Sequence, residues 1–341
     1  MASTDFIPRL ETYVADQLKS QRVGYLLGAG SSYLEGSGYP LAFEIWDLIK
    51  ANIADQDHRD AIQAKLDDGA AGIEQALDLL DDGGAQDTPY RHAVIAAVAE
   101  LFQPKLAPLE HHISFVRLLS QRSDPCVRVF SLNYDPLIER AAASARVRLA
   151  DGFHGAEDAY FDPAVFEERV GRIRGSHRGK QFDETVKPLQ LLKLHGSLGW
   201  YECATNGVRR CAYTQCPPAS TKRLMIPPQR RKATDTMLPP YAALWSAFRG
   251  SLAHGVAPIN RLVCIGYGFA DEHVNAAIEA ALARTDFTLL IFAKVLSDTA
   301  WSRWSVRTNV VVVTESRCSL KGQSGEGHRD LWKFERLANE V

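Results

Sequence analysis

The chain has 341 residues, 46% hydrophobic and 23% charged, with a formal net charge of −2 and a pI of about 6.6. That length suits one large α/β domain with an insertion, or two modest domains. The lack of a basic excess speaks against a dedicated nucleic-acid binder, whose affinity rests on phosphate contacts, and no apolar run approaches the roughly 20 residues that cross a bilayer.

Residues 1–19 mix acidic and apolar side chains, without the basic start and apolar stretch of a signal peptide. Residues 6–20 carry Leu10, Tyr13, Val14 and Leu18 at helical spacing. Val23-Gly24-Tyr25-Leu26-Leu27 reads as a buried strand, stopped by Gly28-Ala29-Gly30-Ser31-Ser32, and a helix is expected from about Leu41. From 51 to 121 the pattern is helical, with no convincing strand. A strand returns at 127–132, ends at Asn133-Tyr134-Asp135-Pro136, and is followed by a helix at 137–146.

Residues 147–187 are glycine-rich and weakly periodic, so a long irregular connection or small insertion is expected. The strand 189–194 meets His195-Gly196-Ser197, and 200–213 suits a hairpin around Asn206-Gly207. Residues 214–240 are proline-rich; their basic run, Arg230, Arg231 and Lys232, reads as a solvated loop. The last third alternates: helix 241–253, strand 261–265, helix 272–283, strands 287–292 and 309–313 with a short helix between. Alternation of this kind implies parallel pairing and right-handed crossovers. The expected fold class is α/β, a Rossmann-like doubly wound parallel sheet with an all-α inserted subdomain: one domain over 1–341, with core 22–50 and 126–315 and helical insertion 51–125.

Six cysteines, at 126, 203, 211, 216, 264 and 318, show no paired spacing, and Cys126 and Cys264 sit in or beside apolar runs. A reducing, cytoplasmic compartment is the expectation.

Ligands of open parallel sheets bind beyond the carboxyl ends of the strands. Four strands here end in small or polar residues: Gly28-Ala29-Gly30-Ser31-Ser32, Ser131-Leu132-Asn133-Tyr134-Asp135, His195-Gly196-Ser197 and Gly266-Tyr267-Gly268. Glycines in the first turn let backbone amides approach a pyrophosphate. The dinucleotide fingerprint of a dehydrogenase is incomplete, because Tyr33 stands where a third glycine belongs. Structural readings stay open: the glycines as a tight turn, Asn133 or Asp135 as helix caps, and His195 as a satisfied core histidine. His111, His112, His154, His254 and His273 read as surface or packing residues.

The order of these segments, with Gly38-Tyr39-Pro40 after the first, resembles the sirtuin-like NAD-binding superfamily over roughly residues 22–285. Ile226-Pro227-Pro228 with Lys232, and Gly266-Tyr267-Gly268-Phe269-Ala270-Asp271, are similar to its bacterial branch. The resemblance implies that Gly28, Ala29, Gly30 and Ser32 line the pyrophosphate and that Asn133 positions a water beside the nicotinamide ribose. It implies that Asp135 holds the carboxamide or adjacent loop, that His195 is the base near the ribose hydroxyls, and that Gly266, Tyr267, Gly268 and Asp271 border the adenosine end. NAD is then a substrate, and no metal is expected. The family's deacylases carry a zinc ribbon with two Cys-x-x-Cys pairs and an Asp-Phe-Arg run; this chain has no such pair and reads Leu41-Ala42-Phe43.

The branch without the ribbon contains NAD-consuming effectors of antiphage defence. The resemblance therefore implies an NAD hydrolase releasing nicotinamide and ADP-ribose and acting in abortive infection. It also implies a homo-oligomer, through faces of helices 6–20 or 88–102, and a partner such as a HerA-type ATPase or a short Argonaute-like protein. A noncatalytic NAD or ADP-ribose sensor subunit, and a deacylase or ADP-ribosyltransferase, are the alternatives.

Overall fold

A computed structural model describes residues 5–341 apart from 71, 82–87, 156–157, 177–178, 219–220, 226–237 and 255–257. Its first part runs α1 (Phe6–Leu18), β1 (Val23–Leu27), α2 (Gly30–Tyr33), α3 (Ile45–Ile49), α4 (Gln56–Asp67), α5 (Ile73–Leu80), α6 (Pro89–Phe102), α7 (Glu110–Ser120), β2 (Arg128–Ser131) and α8 (Leu137–Ala145). The middle is mostly strand: β3 (Leu149–Ala150), β4 (Phe153–His154), β5 (Ala159–Phe161), β6 (Val170–Ser176), β7 (Gly179–Val186), β8 (Leu189–Lys193), β9 (Gly196–Cys203), β10 (Gly207–Arg210) and β11 (Lys222–Met225). The last part is α9 (Tyr241–Leu252), β12 (Arg261–Ile265), α10 (Glu272–Leu282), β13 (Thr288–Phe292), α11 (Asp298–Trp304), β14 (Val310–Val313), β15 (Arg317–Leu320), β16 (Gln323–Glu326) and α12 (Phe334–Leu337).

The main sheet has nine strands in the order β16-β15-β14-β13-β12-β1-β2-β8-β3. From β14 to β3 every pairing is parallel. Side chains alternate between two buried faces, which is why these strands read as unbroken apolar runs. Leu26, Phe130, Leu192, Cys264, Ile291 and Val312 enter one core with α9, α10 and α11. Tyr25, Leu27, Val129, Leu191, Val263 and Leu290 enter the other with α1, α7, α8 and α12. Crossovers that leave β1 for β2 thus run on one face, and those that leave β12 for β13 run on the other. The carboxyl ends of β1 and β12, adjacent strands, flank the switch point of a doubly wound sheet.

The described residues of the expected insertion, 51–125, hold helices and no strand. They do not act as one unit. Phe115, Val116 and Leu119 of α7 pack under the sheet, whereas α3 to α6 bury Ile45, Trp46, Ile62, Leu77, Val94 and Phe102 together with Tyr134, Leu137 and Leu198. The smaller helical group is thereby fixed against the ends of β2 and β8.

Two expectations need correcting, and a third is narrowed. Of the two readings of 147–187, the small insertion holds over the irregular connection, and its described residues are largely strand. They form β3 to β7, including the antiparallel β6–β7 hairpin and strands of a second, five-stranded sheet, β11-β9-β10-β5-β4. Strands of two or three residues carry no readable period, and the hairpin leaves Ile173 and Phe182 exposed, so no polar and apolar faces separate. The antiparallel β15 and β16, which extend the sheet at one edge, lie beyond the expected core. The helix expected from Leu41 begins at Ile45, because the Leu41 amide is held by the Glu44 carboxylate at 2.7 Å in a turn that precedes it. The hairpin expected around Asn206-Gly207 is β9–β10, with Gly207 at φ +69°. Residues 226–228 and 230–232 lie outside the described residues. No described helix is long and apolar enough to cross a membrane.

His112, on α7, is 1% exposed, stacked on Phe334 with ring centroids 4.5 Å apart and hydrogen-bonded to the Ser31 backbone. Burial, reinforced by His111, pushes its pKa down to about 3 against the opposing hydrogen bond. The unfolded chain, with an ordinary value of about 6.5, therefore binds the proton first as pH falls. Stability due to this group is complete above pH ~6.5 and is lost toward pH ~3, at about 1.4 kcal/mol per unit. The stability difference between the native chain and His112→Phe, measured by urea unfolding, is expected to change with about that slope between pH 6 and pH 4. Equal slopes would contradict the burial argument.

Candidate active site at the sheet switch point

The loops after β1 and β12 interlock. Gly28 N–H donates to Ile265 O and Gly30 N–H to Gly266 O, both at 2.9 Å. A Cβ on Gly28 would stand 2.6 Å from Gly266 O, and one on Gly266, at φ +66°, would stand 2.4 Å from Ser31 N. These glycines let two backbones meet, a stricter demand than that of a free turn. Ser31 N–H and Ser32 N–H donate to Gly28 O and Ala29 O. Of the five amides at 28–32, Ala29 N–H alone has no acceptor among the described residues.

Asn133 leaves β2 and reaches back into this loop. Its Nδ2 donates to Gly28 O at 3.0 Å and lies 2.9 Å from Ser32 Oγ and 3.3 Å from Ser31 Oγ. A carbonyl can only accept, so the contact with Gly28 O assigns the amide orientation and leaves Oδ1 as an acceptor. Asn133 is therefore not a helix cap. Asp135 does bond the helix entry: its Oδ1 accepts from Leu137 N–H at 3.1 Å. It is also bonded to the Ser32 side chain. Burial pushes the Asp135 carboxyl up, while Lys193, the Ser32 hydroxyl and the Leu137 amide favour its charged form.

His195 follows β8, at 4% exposure. Its Nε2 lies 3.1 Å from Asp271 Oδ2, and its ring is tilted over Trp245 at 6.4 Å. The other Asp271 oxygen caps α10, accepting from His273 N–H at 3.0 Å and Val274 N–H at 3.4 Å. Asp271 is thus held at both oxygens, one by the start of α10 and one by the imidazole. The resemblance puts Asp271 at the adenosine end; in the structure its carboxylate meets His195. Tyr267 Oη accepts from the Asp271 amide at 3.1 Å and packs this loop onto α10.

A cavity of about 210 Å3 opens between these strand ends. Gly28, Ala29, Ser32, Asn133, Asp135, His195, Gly266, Tyr267, Gly268 and Asp271 line it. Gly30 does not; it is taken up in the contact with Gly266. Tyr39 and Pro40, of the Gly38-Tyr39-Pro40 run, form a further wall together with Ile45 and Phe102, which the strand-end motifs missed. That wall is anchored where Tyr39 N–H donates to Ser32 O at 2.7 Å and its ring stacks on Phe102 at 5.0 Å. They also missed Lys193, fully buried beside the site; a lone charge in the apolar run Leu189–Leu194 was the available signal. Among the described residues no group of histidine, cysteine or carboxylate side chains is placed to hold a metal ion.

A family model described as the SIR2-like domain matches residues 127–296. Similar solved structures include an ADP-ribose complex of a mutant Sir2 homologue, 13% identical with TM-score 0.48 over 96% of this chain and 93% of that one. Another is Sir2Tm bound to a propionylated peptide, 12% identical with TM-score 0.45 over 98% and 97%. A search of curated proteins gives no match. That SIR2-like match spans β2, β8 and β12, three of the four strands whose ends build the cleft.

Proposed function

We propose that the cleft takes NAD and hydrolyses its nicotinamide–ribose bond, releasing nicotinamide and ADP-ribose. The observation that carries this reading is the Asn133 amide, whose donor end is tied to the glycine loop so that Oδ1 is left to hold a water. Nicotinamide leaves NAD as a neutral ring from a cationic one, so the step needs no strong acid. It needs a water placed at the ribose carbon as oxocarbenium character develops, and a group to take that water's proton. Asn133 Oδ1 orients the water; His195, held by Asp271, is the base near the ribose hydroxyls. The balance is NAD and water to nicotinamide, ADP-ribose and one proton. Ala29 N–H is the backbone donor left for the pyrophosphate, and the adenosine lies toward Gly266 to Gly268. Tyr39 and Phe102 give the cleft an apolar wall.

Hydrolysis is favoured over deacylation because the chain has no Cys-x-x-Cys pair from which a zinc ribbon is built. The sequence resemblance extends the proposal to an antiphage effector that depletes NAD, as a homo-oligomer working with a HerA-type ATPase or short Argonaute-like partner.

Asn133→Ala and His195→Ala are each expected to lower NAD turnover by at least about 100-fold, with the thermal transition retained, in assays with the purified chain and with its genomic neighbour supplied. Full turnover by both folded variants would remove them from the chemistry. Asp271→Asn keeps an oxygen for the α10 cap but loses the carboxylate, and turnover is expected to drop about 100-fold at unchanged secondary structure. Native kinetics from Asp271→Asn would limit Asp271 to capping.

A further inference from the structure

Lys193 ends β8 at 2% exposure, two residues before His195. Its Nζ lies 2.6 Å from Asp135 O, 2.8 Å from Ser197 Oγ, 3.0 Å from Glu139 Oε1 and 3.2 Å from Tyr134 O. Four acceptors surround three N–H donors, so the ammonium is saturated. Two of those acceptors are the main-chain carbonyls immediately after Asn133. A third belongs to Ser197, two residues after His195, whose hydroxyl also lies 3.1 Å from Tyr134 O.

These contacts join the two loops that carry the candidate catalytic side chains. Tyr134 O also receives Leu198 N–H at 3.2 Å, so it keeps donors if Lys193 is lost. Asp135 O has Lys193 as its donor among the described residues, and it sits at the bend between Asn133 and α8. Burying an ammonium is costly, and an apolar side chain serves packing alone at least as well. Glu139, the charged partner, has a side chain 24% exposed, so the ion pair is not sealed in the way the backbone contacts are.

We infer that Lys193 is a positioning residue for the hydrolysis, acting on Asn133 by holding the carbonyls of Tyr134 and Asp135 and on His195 through Ser197; this rests on the NAD-hydrolase reading. Asn133 is pinned at one end by Gly28 O and Ser32 Oγ. Lys193 fixes the chain at its other end, and the angle at which Oδ1 meets the water depends on both.

The test replaces Lys193 with methionine, of similar length and without donors, and measures kcat and the NAD dissociation constant separately. Lys193→Met is expected to lose about 30–100-fold in kcat, the scale of a sub-ångström to 1 Å misplacement of a catalytic group, with NAD affinity within about 3-fold. Glu139→Gln keeps an oxygen for Nζ and is expected within about 3-fold of native kcat, because the carbonyl contacts remain. Native kcat in Lys193→Met, or an equal loss in Glu139→Gln, overturns the inference. If Lys193→Met does not fold, Ser197→Ala removes one tie; a kcat loss of about 3–10-fold at native affinity supports the inference, and no loss overturns it. A native chain that leaves NAD intact defeats the reading of the site itself and the inference with it; a native chain that hydrolyses NAD beside an equally active Lys193→Met defeats the inference alone.

Discussion

The site depends on one close contact, the backbone of the loop after β1 lying against the backbone of the loop after β12. Side chains at Gly28, Gly30 or Gly266 would occupy space already filled by main-chain atoms of the other loop. Parallel pairing of β1 with β12 brings the two ends together, and opposite crossovers clear the space above them. Once they touch, Gly28 O is presented to the Asn133 amide and Ser32 to both Asn133 and Asp135. The second loop carries Asp271 to His195. The contacts that place Asn133 and His195 in the cleft thus each end on one of these two interlocked loops.

Rigidity follows from how few of these groups have a second option. Asn133 has a carbonyl at one end that can only accept, Asp271 has one oxygen fixed by the α10 cap, and Lys193 has as many acceptors as it can use. A site built this way is set before any ligand arrives, the arrangement that contributes most when charge develops at a reacting carbon. Its apolar wall comes from elsewhere. Tyr39 and Phe102 belong to the helical group, which shares its core with Tyr134 and Leu198, so movement of those helices would reach the cleft directly.

Much of this was legible in the sequence because strands buried on both faces announce themselves as apolar runs, and polar residues at their ends stand out. Gly28, Asn133, His195 and Gly266 each close such a run. The β6–β7 hairpin was not legible, since Ile173 and Phe182 face solvent and its alternation separates nothing. Pairings were not legible either. His195 and Asp271 are 76 residues apart in the chain, and nothing local to Asp271 distinguishes a cap from a cap that also holds an imidazole. In the sequence the glycines make room for a phosphate; in the structure they also make room for each other. Lys193 carries no local sign of its role, because its acceptors come from segments folded against it.

The central claim is that this cleft cuts the glycosidic bond of NAD with water. Chromatography of NAD incubated with the purified chain, alone and with its genomic neighbour, tests it most directly. The account predicts nicotinamide and ADP-ribose in equal amounts, with no acyl-ADP-ribose when an acylated peptide is added. NAD bound but recovered intact in both conditions, or products formed only with the peptide, would contradict it.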